Sequence, residues 1–163
     1  MLVRSVEIEQ DTGQLAELGS RLTSLASAEV DLGRHDEAMR LYARALAHQR
    51  DIGDRSGAGV TRGNIAGLHA IMGAPRKGLR EVRAAIAIHR ELDEKVYEAF
   101  ALHTLADLCI TLGRLEEGRS AVLRGRLLVK EIRNPRLVKG FARMSRGLAR
   151  RARSAGHGHH DRS

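Results

Sequence analysis

One pattern recurs three times in this chain at intervals of 40 residues. DLGRHDEAMRLYARAL begins at residue 31, IMGAPRKGLREVRAAI at residue 71 and TLGRLEEGRSAVLRGR at residue 111. Gly33, Gly73 and Gly113 share one column, Leu32, Met72 and Leu112 a second, and Ala26, Ala66 and Ala106 a third. A unit of this length cannot bury a hydrophobic core by itself. The repeat therefore confines the chain to an array in which neighbouring units supply each other's missing surface.

Each unit reads as two helices. Leu18, Leu22 and Leu25 fall at helical spacing ahead of the first glycine, and a glycine can take the left-handed conformation that ends a helix. The second helix starts after a short turn, where Pro75 suits a first helical position, and in its first copy it runs to Gly53. Inside it, small residues recur at Ala38, Gly78 and Gly118 and again at Ala45, Ala85 and Gly125, flanking the larger Tyr42, Val82 and Val122. Helices that cross at roughly 8–10 Å need small side chains at the crossing, so these columns are expected to be contact points. The fold class that follows is all-α, a solenoid of antiparallel helical hairpins.

The order of small and large residues resembles the tetratricopeptide repeat: Leu25-Ala26, Ala38, Tyr42, Ala45; Ile65-Ala66, Gly78, Val82, Ala85; Leu105-Ala106, Gly118, Val122, Gly125. The family's early tryptophan and closing proline are missing, and Glu29, His69 and Cys109 stand where it has an aromatic. The 40-residue interval is similar to the extended-helix form found in kinesin light chains and in bacterial repeat-containing regulators. The resemblance implies a right-handed superhelix whose first helices line a concave groove that binds a peptide or protein partner. It places Ser24, Ser27, Val60, Asn64, Ile71, Phe100, His103, Thr104 and Asp107 on that inner surface. Ser24, Asn64 and Thr104 then form a polar column able to bond an extended peptide, and Asn64-Ile65-Ala66 resembles the asparagine motif used this way in kinesin light chains.

Residues 8–14, IEQDTGQ, align with residues 48–54, HQRDIGD. The chain is thus expected to open inside the second helix of an earlier unit. At the other end, Asn134-Pro135 introduces a helix from Arg136 to about Arg153 with no second helix after it. The expected organisation is about three complete repeats with a half repeat at each end, over residues 1–153, then a disordered Gly/His-rich tail over residues 154–163. Such an array, cut out of phase, is expected to be the repeat segment or remnant of a bacterial signalling or transcription-regulator protein.

Charge divides sharply along the sequence. Of 28 basic and 20 acidic residues, 9 basic and one acidic, Asp161, lie in residues 133–163, so the net charge of +8 belongs entirely to that end. The last helix carries Leu137, Phe141, Met144 and Leu148 on one stripe and Arg136, Lys139, Arg143, Arg146, Arg150 and Arg153 on the other. That is the form of a terminal cap, apolar toward the stack and charged outward. The same basic face gives an alternative function, nucleic-acid binding by attraction to phosphates. Against it stand only four aromatic residues in the chain, too few for the stacking platforms of single-strand binders, and no helix-turn-helix or zinc pattern.

No phosphate loop, nucleophile elbow, HExxH pattern or pair of catalytic carboxylates is present. No enzyme activity, cofactor or metal site is therefore expected. The single thiol, Cys109, reads as a small packed residue, and His157, His159 and His160 as part of the flexible tail. His103 and Asp107, four apart on one helix face, read as a groove-lining polar pair. No segment approaches the roughly 18 apolar residues of a membrane span, and the acidic start lacks a signal peptide's apolar run, so a cytoplasmic location without membrane contact is expected. The sequence thus points to a non-catalytic scaffold whose partner is a protein or peptide, with end-to-end self-association as a further expectation because both ends of the array expose stacking surfaces.

Overall fold

The computed structural model describes the backbone of residues 2–157 and the side chains of residues 17–151. Among these it contains seven α-helices and no strand: α1 (Leu2–Asp31), α2 (His35–Asp51), α3 (Arg55–Ile71), α4 (Pro75–Glu91), α5 (Lys95–Thr111), α6 (Leu115–Ile132) and α7 (Pro135–His157). Consecutive helices pack together, α1 with α2, α3 with α4 and α5 with α6 forming hairpins, and α7 closes the stack against α5 and α6. The fold is an all-α helical-repeat solenoid.

The turns explain its regularity. Residues 33, 53, 73, 93, 113 and 133 all have positive φ, between 48° and 74°, so the chain turns once every 20 residues. At Gly33 the amide donates to the Val30 carbonyl at 2.9 Å, and the next amide, that of Arg34, donates to the Glu29 carbonyl at 2.8 Å. This is the paired bond of a Schellman motif, which uses two of the four carbonyls that a helix end leaves without partners. The same pair recurs at Gly53, Gly73, Asp93 and Gly113. The residue that donates the second bond is also the cap of the next helix, so each connection is short. Four helices in succession consequently have 17 residues each.

Equal lengths bring the same columns to the same contacts. Ala26, Ala66, Ala106, Ala38, Ala45 and Ala85 are fully buried, with Tyr42, Val82 and Val122 beside them. A β-carbon added at Gly78 would stand 2.8 Å from the Ala66 carbonyl oxygen, which marks the crossing of α3 and α4. One at Gly118 would meet Cys109 and Leu148 at 3.3 Å, and one at Gly125 would enter the Phe141 ring. The small residues are therefore demanded by close approach of backbone and ring.

Two features differ from the expectation. α1 is one continuous helix from Leu2, so the turn expected at Gly13 is not made. A glycine permits a left-handed turn without requiring it, and a continued helix keeps the i→i−4 bonds that a break gives up. At the other end α7 runs through residue 153 to His157. Of the expected tail, residues 158–163 lie outside the described residues, as do the side chains of Arg153 and His157. The apolar stripe of α7 is as anticipated: Leu137, Phe141, Met144 and Leu148 are buried, while Arg136, Lys139, Arg143, Arg146 and Arg150 are exposed.

Neither Asp93 nor Arg133 was recognisable as a turn from glycine spacing, and for residues other than glycine the left-handed conformation costs roughly 1–2 kcal/mol. Arg133→Gly should therefore stabilise the protein by about 1 kcal/mol. Gly73→Ala should destabilise it by a comparable amount, both measured by urea unfolding.

Candidate functional site

The backbones of the odd-numbered helices approach one another in sequence, α1 to α3, α3 to α5 and α5 to α7, whereas those of α2, α4 and α6 approach only odd-numbered neighbours. The array is closer along the odd row, and the hollows on that side are candidates for a site. One, of about 280 Å³, is lined from α3 and α5 by Val60, Asn64, Phe100, His103 and Thr104, with His89 and Tyr97 among its other walls. A second, of about 380 Å³, lies between α1 and α3 and includes Ser24 and Ser27. Val60, Asn64 and Tyr97 belong to both, so the two hollows form one path across three helices.

Seven of the nine groove residues anticipated from the sequence line this path. Ile71 and Asp107 do not; both are exposed on the same helices nearer their C-terminal ends. The lining residues are not equivalent. Ser27 is committed to the fold, its hydroxyl donating to the Thr23 carbonyl at 3.1 Å or pairing with the Tyr42 hydroxyl at 2.9 Å. Thr104 donates back to the Phe100 carbonyl at 3.3 Å and so presents only lone pairs. The Asn64 amide and the Ser24 hydroxyl have no hydrogen-bond partner among the described residues, which leaves them open to a ligand. Burial drives the His103 imidazole toward its neutral form, with the charge of Asp107 opposing and that of Arg143 assisting. Its ring lies edge-on to Phe141 at 5.6 Å.

The floor of the path comes from residues not singled out in the sequence. Under α1 and α3, Thr61 donates to Gln49 Oε1 at 2.9 Å, the Thr23 and Thr61 hydroxyls are 2.8 Å apart, and Gln49 Nε2 reaches Thr23 at 3.5 Å. All three side chains are buried, and the ring of bonds satisfies them together, as a buried polar cluster must be. One unit further on, His89 occupies the column of Gln49 and is also buried. Its Nδ1 lies 2.7 Å from Glu94 Oε2, and Ser56 donates to Glu94 Oε1 at 2.6 Å. A β-carbon at Gly59 would stand 2.7 Å from His89 Nε2, so the glycine makes room for the ring. The column comparison 49, 89 and 129, reading Gln, His and Val, carried the signal: polar residues in a helix column that packs inward.

Other candidates resolve simply. The Cys109 thiol is pushed up to about 11, first by burial and then by the charge of Glu117, so it is not a nucleophile at neutral pH. Among the described residues no group of three or more histidine, cysteine or carboxylate side chains is placed to hold a metal ion. No helix there is long and apolar enough to cross a membrane. On α7, Arg136, Lys139, Arg143 and Arg146 take part in no ion pair among the described residues, and Arg151 donates to the Ile110 carbonyl. No protein-family model and no curated protein matches the chain.

Glu94 offers a check on the floor. Burial raises its pKa, but the hydrogen bonds from Ser56 and His89 together outweigh this and hold the carboxyl below its ordinary value of 4.5. A depressed carboxylate contributes stability that is present above the unfolded value and lost as pH falls through the folded one. The loss of stability on going from about pH 6 to about pH 3 should therefore be smaller in Glu94→Gln than in the parent, measured by urea unfolding at each pH.

Proposed function

We propose that this protein is a non-catalytic interaction module of the tetratricopeptide type that binds a peptide or protein partner along the path lined by α1, α3 and α5. The observation that carries this reading is Asn64. It sits at the junction of both hollows, on the inner row of helices, with a side-chain amide that nothing else in the described structure engages. An amide offers donors and an acceptor together, the pairing that an extended backbone needs. Val60 and Phe100 supply apolar surface beside it. A cytoplasmic setting, and a role as the repeat segment of a bacterial signalling or transcription regulator, accord with this reading. The basic stripe of α7 is a solvated cap face in the same picture, since the opposite stripe of the helix is spent against the stack.

The test is capture of a partner by the full chain. Asn64→Ala combined with Thr104→Ala should weaken capture at least tenfold in a pull-down followed by calorimetry, while circular dichroism and the unfolding midpoint stay unchanged. Equal capture by the double variant would refute the groove.

One observation favours a second activity, self-association through α1. Leu25 is 50% exposed, whereas Ile65 and Leu105 in its column are 7% and 8% exposed. In the inner units that column belongs to apolar clusters spanning successive helices; in the first unit it is open, with Leu18 nearby also exposed. Sedimentation velocity should show concentration-dependent association that Leu25→Glu abolishes. A parent chain that is monomeric at every concentration would exclude it.

A further inference from the structure

Besides the open Asn64 amide, the hollow between α3 and α5 is lined by a buried polar side chain that the fold holds at one end only. His89 is 2% exposed, and its Nδ1 is held by Glu94. Glu94 also accepts from Ser56 and is a carboxylate at neutral pH, so it can only accept; the proton between the two residues therefore sits on Nδ1. On a ring that carries its single proton at Nδ1, Nε2 presents a lone pair. Nε2 has no hydrogen-bond partner among the described residues, yet no side-chain nitrogen or oxygen there is sealed from solvent without one. The atom lies beside Gly59, and His89 and Gly59 both line the 280 Å³ hollow.

The rest of the wall defines what fits against it. Tyr97 and Phe100 are each 45% exposed, and the Tyr97 ring lies 5.2 Å from the His89 ring at an interplanar angle of 31°. These faces suit a flat apolar body. Thr104 presents only acceptor lone pairs, since its proton goes to the Phe100 carbonyl. No cation lines the hollow, which disfavours a carboxylate or phosphate. The one nearby anion, Glu94, is already engaged by Ser56 and His89, so burying an ammonium group there would leave its charge poorly compensated. The complement is an uncharged aromatic ring carrying a hydrogen-bond donor.

We propose that this hollow is a socket for a tyrosine side chain of the partner, the ring lying against Tyr97 and Phe100 and the phenol donating to His89 Nε2. The proposal rests on the groove reading above for its partner, but the socket can be tested without one. A hydroxyl aimed at a prepared acceptor also gives selectivity, because a ring without the donor leaves that acceptor desolvated and unpaired.

The probe is p-cresol, the tyrosine side chain itself, titrated into the isotope-labelled full chain and followed by NMR. A fragment of this size should bind with a Kd on the order of 1 mM. The expected result is movement of the Gly59 and Gly63 amide signals together with an upfield shift of the His89 Nε2 resonance, and toluene binding about tenfold more weakly, the factor one lost hydrogen bond allows. Gly63→Leu fills the hollow at a glycine with open space around it, and should abolish the shifts. Gly67→Leu, on the same helix and equally unobstructed, should not. Equal affinity for toluene, stronger binding of n-butylammonium, or p-cresol shifts that survive Gly63→Leu would each overturn the socket. So would the absence of any shift at concentrations several times the expected Kd. If any of these results comes with partner capture that still depends on Asn64 and Thr104, the socket fails and the groove stands; loss of both would reject the groove as well.

Discussion

The left-handed turn is the constraint on which the rest of this structure depends. A positive φ at every twentieth residue from 33 to 133 reverses the chain, and at the first five of these turns it satisfies two carbonyls of the helix just ended and positions the cap of the helix about to begin. Because the interval does not vary, successive helices reach about the same length, roughly 25 Å at the rise of an α-helix. Helices of one length, reversed at one place, bring the same columns face to face in every unit. Close packing is thus a consequence of the turns: the alanine and glycine columns are small because the backbone of the neighbouring helix is already there.

The fixed frame carries a floor that changes from unit to unit. The column 49, 89 and 129 is buried throughout and reads glutamine, histidine and valine, while the column 61, 101 and 141 reads threonine, alanine and phenylalanine. Near α1 the floor is therefore polar, closed by mutual hydrogen bonds. Near α7 it is apolar, filled by a phenylalanine for which Gly125 makes room. The middle unit combines the two, with an imidazole anchored by a carboxylate on one side and an aromatic wall on the other. A buried carboxylate, Glu98, has a different task. Arg90 from α4 and Arg124 from α6 donate to it at 3.1 and 2.7 Å, tying three helices together across the hairpin boundary.

Whether a feature could be read from the sequence followed from how strictly physics ties a residue type to its place. Gly33, Gly73 and Gly113 could be read because a turn with positive φ favours glycine strongly, and the buried columns because a crossing excludes large side chains. Asp93 and Arg133 could not: the rule that glycine marks such turns is a preference of about 1 kcal/mol, which packing on either side of the turn can override. At Gly13 the same preference misled in the other direction, since conformational freedom is no obligation to turn. Of the nine residues anticipated on one face of the first helices, seven line the two hollows. The polar floor was missed because Gln49 and His89 belong to the second helices and Glu94 to the turn between α4 and α5, which a reading centred on the faces of the first helices passes over.

This separation of frame from floor bears on how such a module acquires a partner. A substitution in the small columns meets backbone or ring within contact distance and is resisted by every neighbouring unit. A substitution in the floor meets only a few side chains, provided the new polar atoms find partners or an opening. Gln49 and His89 show both solutions in one column. The glutamine is bonded to Thr23 and Thr61, which ties it to the fold. The histidine is held at one nitrogen by Glu94 and has no partner at the other, so the same structural position carries a different polar surface without altering the helices that hold it.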